Sequence, residues 1–265
     1  MKERVILVVG DKFMRFAEGK NVITLTQLRG LLSLPDLFST DVHRIVVLPG
    51  QGLRDDDIES ILALADCAPQ RAHFDLTEWY RVPKRAAASR SHKHRPENTL
   101  ISEPRQLTTE SFELDLLVDE DCELMRDHQS GQHVQGMILF EAARQSLLAV
   151  TESFFLPTNG PKYFFVINDM SVNFGKFAFP LDARLRYVIR EYEARGTRSY
   201  RFAVDIAIEQ CGVEAATCTA TFTVYEENWI SAREGQLAQE VLDSHIASRL
   251  QVLAERHGQI AAIAA

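Results

Sequence analysis

The chain has 265 residues, 46% of them hydrophobic and 25% charged, with a net charge of -8 at neutral pH. Domains usually run about 100–150 residues, so this length favours two unequal domains over one. The acidic balance argues against nucleic acid as the main partner, and no apolar run approaches the roughly 20 residues that a membrane span requires.

Taken in chain order, residues 4–9 (RVILVV) and 44–48 (RIVVL) are β-branched strands ended by glycine or Pro-Gly, each followed by helical spacing. Because Asp11, Lys12 and Arg15 stand where a signal-peptide cleavage site would lie, Met1 to Gly10 reads as a strand. The second run leads through Pro49-Gly50-Gln51-Gly52 to Asp55, Asp56 and Asp57, acids that suit the first turn of a helix and would repel a phosphate. Neither VVGDKF nor LPGQGL has the spacing of a nucleotide-binding loop, so residues 1–82 are expected to form a small α/β packing or docking module. The basic, alanine- and serine-rich stretch 83–97, with Lys84, Arg85, Arg90 and Lys93, reads as a surface linker.

Beyond it the apolar period changes to two. Phe112, Leu114 and Leu116 alternate with acids; Leu185, Tyr187 and Ile189 alternate with arginines; Phe202 to Ile208 and Cys218 to Val224 repeat the pattern. These are antiparallel strands with one buried face. Between the first two lies Val134 to Phe155, helical and apolar nearly all round, which must therefore be enclosed. A long buried helix wrapped by an antiparallel sheet is the hotdog arrangement, so the expected class is α+β, with the hotdog domain at 98–228. An amphipathic helix at 229–265, carrying Leu237, Val241, Leu242, Ile246, Leu250 and Leu253, is expected to cover the sheet or the N-terminal unit. The four cysteines lack metal-ligand or disulfide spacing, which predicts reduced thiols, a cytoplasmic protein and no metal site.

The segment from Asp127 to Gln145, DHQSGQHVQGMILFEAARQ, holds the candidate chemistry. It places His128 and His133 in a glycine-containing loop before the buried helix, whose first N–H groups can polarise a carbonyl. Gly136 would let a thioester oxygen approach the main chain, and Met137 stands beside it. Glu141, inside the apolar run, needs compensation for its desolvation. Arg144 can pair with it and Gln145 lies one turn above, which makes Glu141 a candidate general base or acid. Asp127 suits orienting a histidine or shaping the turn.

These residues resemble the A-factor biosynthesis (AfsA-type) hotdog family, whose second repeat reads D-H-P-x-D-H-V-P-G-M-L-L-x-E-A-A-R-Q. From Gln132 to Gln145 the match runs without a gap, one extra residue separates the two histidines, and weaker likeness is found at 92–102 (HKHRPENTLIS) and 172–185. The resemblance implies an enzyme that joins a β-ketoacyl chain from a carrier protein to dihydroxyacetone phosphate, towards a butyrolactone signal, with Glu141 and Arg144 as the active-site pair. Here Gln129 and Gln135 replace both loop prolines, Gln132 replaces the second aspartate, and residues 1–90 hold no second E-x-x-R-Q segment. A more distant likeness, to the hotdog dehydratases of fatty-acid synthesis, implies a histidine–carboxylate pair such as His128 and Glu141; a thioesterase or a non-catalytic acyl-binding subunit are further alternatives. On any of these readings the acyl group arrives on the phosphopantetheine of an acyl carrier protein or CoA, no other cofactor is needed, and the single hotdog predicts a homodimer.

Overall fold

The computed structural model describes residues 4–35, 44–127, 129–157, 160–196 and 199–263, with side chains to residue 254 in the last stretch. The N-terminal module runs β1 (Arg4–Val9), α1 (Met14–Ala17), β2 (Val22–Thr24), α2 (Leu25–Ser33), β3 (Ile45–Pro49), α3 (Asp55–Cys67) and β4 (Phe74–Asp75). Its strands form a parallel sheet in the order β2-β1-β3-β4, with Ile6 opposite Val47 and Leu7 opposite Val22. Thr24 and Gln27 cap α2 reciprocally, and Trp79 closes the far side of the small core with its indole N–H on Val47 O at 3.1 Å.

The order reverses between β1 and β3, and in open α/β sheets the crevice beyond the strand ends at such a point is where ligands bind. Here the chain itself fills it. The Gln51 side chain donates to Leu116 O at 2.8 Å and accepts from Val118 N at 2.6 Å, while Gly52 N donates to Val118 O and Gln51 N to Pro180 O. A Cβ on Gly10 would lie 2.4 Å from Gly52 O, so only glycine allows this closure.

The hotdog half continues with α4 (Ala88–Ser91), β5 (Arg105–Gln106), β6 (Ser111–Asp115), α5 (Glu123–Asp127), α6 (Gly136–Phe154), β7 (Tyr163–Phe174), β8 (Arg184–Arg195), β9 (Ser199–Gln210), β10 (Val213–Glu226) and α7 (Glu227–Ile263). The antiparallel sheet has the order β5-β6-β8-β9-β10-β7 and wraps α6. Ile138, Ala142, Ala143 and Leu147 press against Leu185, Tyr187, Phe202, Val204 and Phe222, all essentially inaccessible to solvent. The protein is therefore an α+β hotdog preceded by a small α/β unit. The edge strand β7 has no clean alternation because a register shift between Ile167 and Asp169 interrupts it; Tyr163, Phe165, Met170 and Val172 pack on the core while Phe164, Ile167 and Phe174 are exposed.

Inside this core the hydroxyls of Tyr187 and Thr151 are fully buried and, among the described residues, make no well-formed hydrogen bond. Thr151 is the polar neighbour of the Tyr187 hydroxyl, and burial pushes that phenol well above its usual range. Removing an unsatisfied hydroxyl lifts a desolvation penalty of about 1–3 kcal/mol. Tyr187→Phe should accordingly leave the urea midpoint unchanged or raise it, and a clear loss of stability would show that the hydroxyl is satisfied.

The segment 83–97 lies on the body of the molecule. The Arg85 side chain is only 8% exposed and donates to Leu53 O, Thr99 O and Leu117 O, tying the two halves together. Arg90 reaches Ser153 and His92 reaches Glu152, both on α6. The C-terminal helix departs from expectation. Instead of covering the sheet or the N-terminal unit, α7 touches β10 and β7 near its start, and every residue from 231 to 251 is exposed.

Candidate active site

Most of α6 is sealed by the sheet, but Met137, Phe140, Glu141 and Arg144, three or four residues apart, form the stripe the sheet leaves open. Residues 93–100 lie over this stripe. Arg144 donates both Nε (2.7 Å) and a terminal nitrogen (2.8 Å) to the two oxygens of Glu141, a bidentate pair. Lys93 Nζ lies 2.8 Å from Glu141 Oε1, and Gln145 Nε2 donates to the same oxygen at 3.1 Å. Fully buried Gln145 also donates to Asn98 O and accepts from Leu100 N, so it pins the covering segment to the helix.

Burial raises the Glu141 carboxyl, but the hydrogen bonds from Arg144 and Lys93 outweigh it and hold the group at about 2. Its partner Arg144 is raised in turn by the same pair. With two cations and one carboxylate, the cluster has a net positive charge. Lys93 and Glu141, but not Arg144, line a cavity of about 250 Å³ whose walls also include Leu100, Leu124, Met137, Phe140 and the acidic Glu123. A larger cavity, about 510 Å³, lies between the N-terminal module and the hotdog and includes Asp55, Arg85, Asp182 and Arg184. Glu141 does not line it, and its charged walls are largely engaged in ion pairs, so the smaller cavity is the better candidate.

The other sequence candidates are dispersed. His133 Nδ1 lies 3.1 Å from Ser130 Oγ, and its ring packs on Phe177 at 4.7 Å, which ties it into the loop rather than to Glu141. His128 lies outside the described residues. Asp127 is exposed at the end of α5, and Met137 is exposed at the cavity rim. Gly136 opens α6 without a side-chain cap, and the Phe174 ring stands 3.0 Å from where its Cβ would be. The residue that sequence reasoning did not place in the site is Lys93. Its signal was present, because the 92–102 stretch resembled a family repeat while its charges read as linker. No group of three or more His, Cys, Asp or Glu side chains able to hold a metal occurs among the described residues.

The family model of the A-factor biosynthesis hotdog domain (AfsA) matches residues 75–226, more than half of the chain. The chain belongs to the A-factor biosynthesis hotdog family. The match takes in the covering segment with Lys93, the whole of α6 and the sheet, and it stops at Glu226, the last residue before α7. Two solved structures similar to part of this chain are a putative thioesterase, phenylacetic acid degradation-related protein, from Ralstonia eutropha JMP134 and a mutant thioesterase from Pseudomonas aeruginosa. The first is 20% identical over 45% of this chain and 82% of that one, with a TM-score of 0.34. The second is 16% identical over 47% and 81%, with a TM-score of 0.35. No curated protein matches.

Proposed function

We propose that this A-factor-type protein transfers or condenses an acyl group, a β-ketoacyl group being the best fit, from a carrier-protein or CoA thioester. The observation that carries the reading is the cation-rich Lys93–Glu141–Arg144 cluster at the rim of an apolar cavity. The acyl chain would occupy the cavity and bring its thioester carbonyl to the polar rim. As an acceptor oxygen attacks that carbonyl, charge develops on the carbonyl oxygen, and fixed cations in a sparsely hydrated site stabilise it. The C–S bond then breaks, the thiol departs with a proton, and the acyl–oxygen bond remains. Glu141, ionised throughout the physiological range, is a weak base in this setting and suits holding the two cations in place better than moving protons.

An incubation of the protein with acyl-carrier and acyl-CoA thioesters, with and without dihydroxyacetone phosphate, followed by mass spectrometry, tests this. A phosphorylated ester supports it. Loss of water, free acid alone, or binding without turnover would each replace it with a dehydratase, a thioesterase or a binding subunit. The functional unit is proposed to be a homodimer, since among the described residues no strand pairs with the outer side of β7, on which Phe164, Ile167 and Phe174 are exposed.

A further inference from the structure

Helix α7 has 37 residues, which at about 1.5 Å per residue reaches roughly 55 Å. Isolated helices are marginal in water, yet Leu242, Ile246, Leu250 and Leu253 are all between 43% and 61% exposed. Such a helix gains its stability from a partner. The family domain ends before it begins, so the partner is not set by the hotdog fold.

One stripe of α7 has residues at 235, 238, 242, 246, 250 and 253, the three- and four-residue steps of a helix-pairing seam. Its first half is small, with Gly235 and Ala238, and its second half is large, with Ile246, Leu250 and Leu253. Charge follows the same division. Residues 227–243 carry four carboxylates and one arginine, whereas 244–263 carry two arginines and one carboxylate. A parallel pair would set small residues against small and acid against acid. Reversed about residue 244, each Gly235 meets Leu253 of the second copy, each Ala238 meets Leu250, and each Leu242 meets Ile246. Glu240 then lies beside Arg249 of the second copy, where opposite charges specify orientation.

We infer that α7 is a self-association element that pairs antiparallel with α7 of a second copy of this chain. The pairing is isologous, as a two-fold axis requires, and it rests on the helix alone, independent of the reaction proposed above. It also lies beside the unpaired edge, because Glu227 N donates to Lys162 O at the foot of β7.

Disulfide trapping in the full chain tests both partner and direction, after replacing the exposed Cys67 with serine and Cys211 with asparagine, which tolerates its left-handed backbone. Ala238→Cys and Leu250→Cys proteins, mixed and mildly oxidised, should give a mixed disulfide dimer in at least ten-fold excess over either protein oxidised alone. Equal trapping of each variant alone would establish a parallel pair and overturn the direction. No trapping in any combination, with circular dichroism showing α7 intact, would overturn self-pairing. So would a chain monomeric at ten micromolar, whether or not α7 then bound lipid vesicles or another protein. As a check independent of cysteine, Ile246→Glu should weaken self-association at least ten-fold in sedimentation while a charge placed at exposed Val241, off the seam, leaves it within two-fold.

Discussion

Glu141→Gln should reduce turnover at least about 100-fold while the protein stays folded, because the amide keeps the shape but leaves Lys93 and Arg144 facing one another without their shared counter-charge. The pH dependence separates a holding role from proton transfer. The Glu141 carboxyl sits at about 2, below its ordinary 4.5, so its stabilising contribution is complete above about pH 4.5 and fades as the pH falls towards 2. That depression corresponds to roughly 3 kcal/mol at most, and the partly open site screens some of it. Chemical denaturation should therefore show the glutamine variant less stable at pH 7, with the gap closing near pH 2. In kcat/KM against pH, no acidic limb between pH 5 and 7 should disappear on substitution. Loss of such a limb in the variant would instead make Glu141 the general base or acid. Lys93→Gln should lower kcat/KM at least ten-fold, and full activity there would remove Lys93 from the site.

The second large effect is expected at a distance from the cavity. Arg85→Ala should cost on the order of 3–5 kcal/mol, read as a fall in the urea midpoint, because it strips one buried guanidinium from three carbonyls and from Asp119, which is 3% exposed. Burial already raises the Asp119 carboxyl, and without Arg85 that rise grows. The raised group opposes folding when ionised and ceases to do so as it is protonated. The deficit of the variant should thus narrow as the pH falls through the carboxylate range. Arg85→Lys should recover only part of the loss, since a single ammonium cannot reach the three carbonyls and Asp55 that separate guanidinium nitrogens bond here. An unchanged midpoint in the alanine variant would mean that the two halves do not depend on this contact.

Where sequence was a good guide, one physical period dominated. The alternation in β6, β8, β9 and β10 and the all-round apolar run of α6 pointed to an enclosed helix in a curled sheet, because burial on one face or on all faces leaves a direct trace in residue order. β7 left a weak trace, since its core-side residues Tyr163, Phe165, Met170 and Val172 are only half-buried and a register shift between Ile167 and Asp169 breaks the alternation. The two-residue β4 and three-residue β2 are too short to carry a period. In the site, Glu141 and Arg144 could be paired from sequence because they lie three residues apart on one helix. Lys93 could not, since its contact with Glu141 is made across the fold and its neighbours have the composition of a connector. The basic residues of 83–97 illustrate the general difficulty, for Arg85, Arg90 and Lys93 each bind a specific partner that charge composition does not reveal. In α7 the apolar residues were visible, but nothing in their spacing told a helix that lies on its own sheet from one that stands away from it.

The filled crevice at the strand ends of the N-terminal module also constrains the order of events during synthesis. The module's four strands are complete once residue 75 has emerged, yet the groups that satisfy Gln51 and Gly52 belong to Leu116, Val118 and Pro180. Chains grow from the N-terminus and domains tend to form as units, so the 50–54 turn leaves the ribosome before its permanent partners exist. Until the hotdog sheet closes on it, the module holds that turn only through Gly50 N on Val8 O and Gly10 N on Gln51 O, the Gln51 side chain and Gly52 N–H are left to water, and the turn is completed only when the domain that follows has been made.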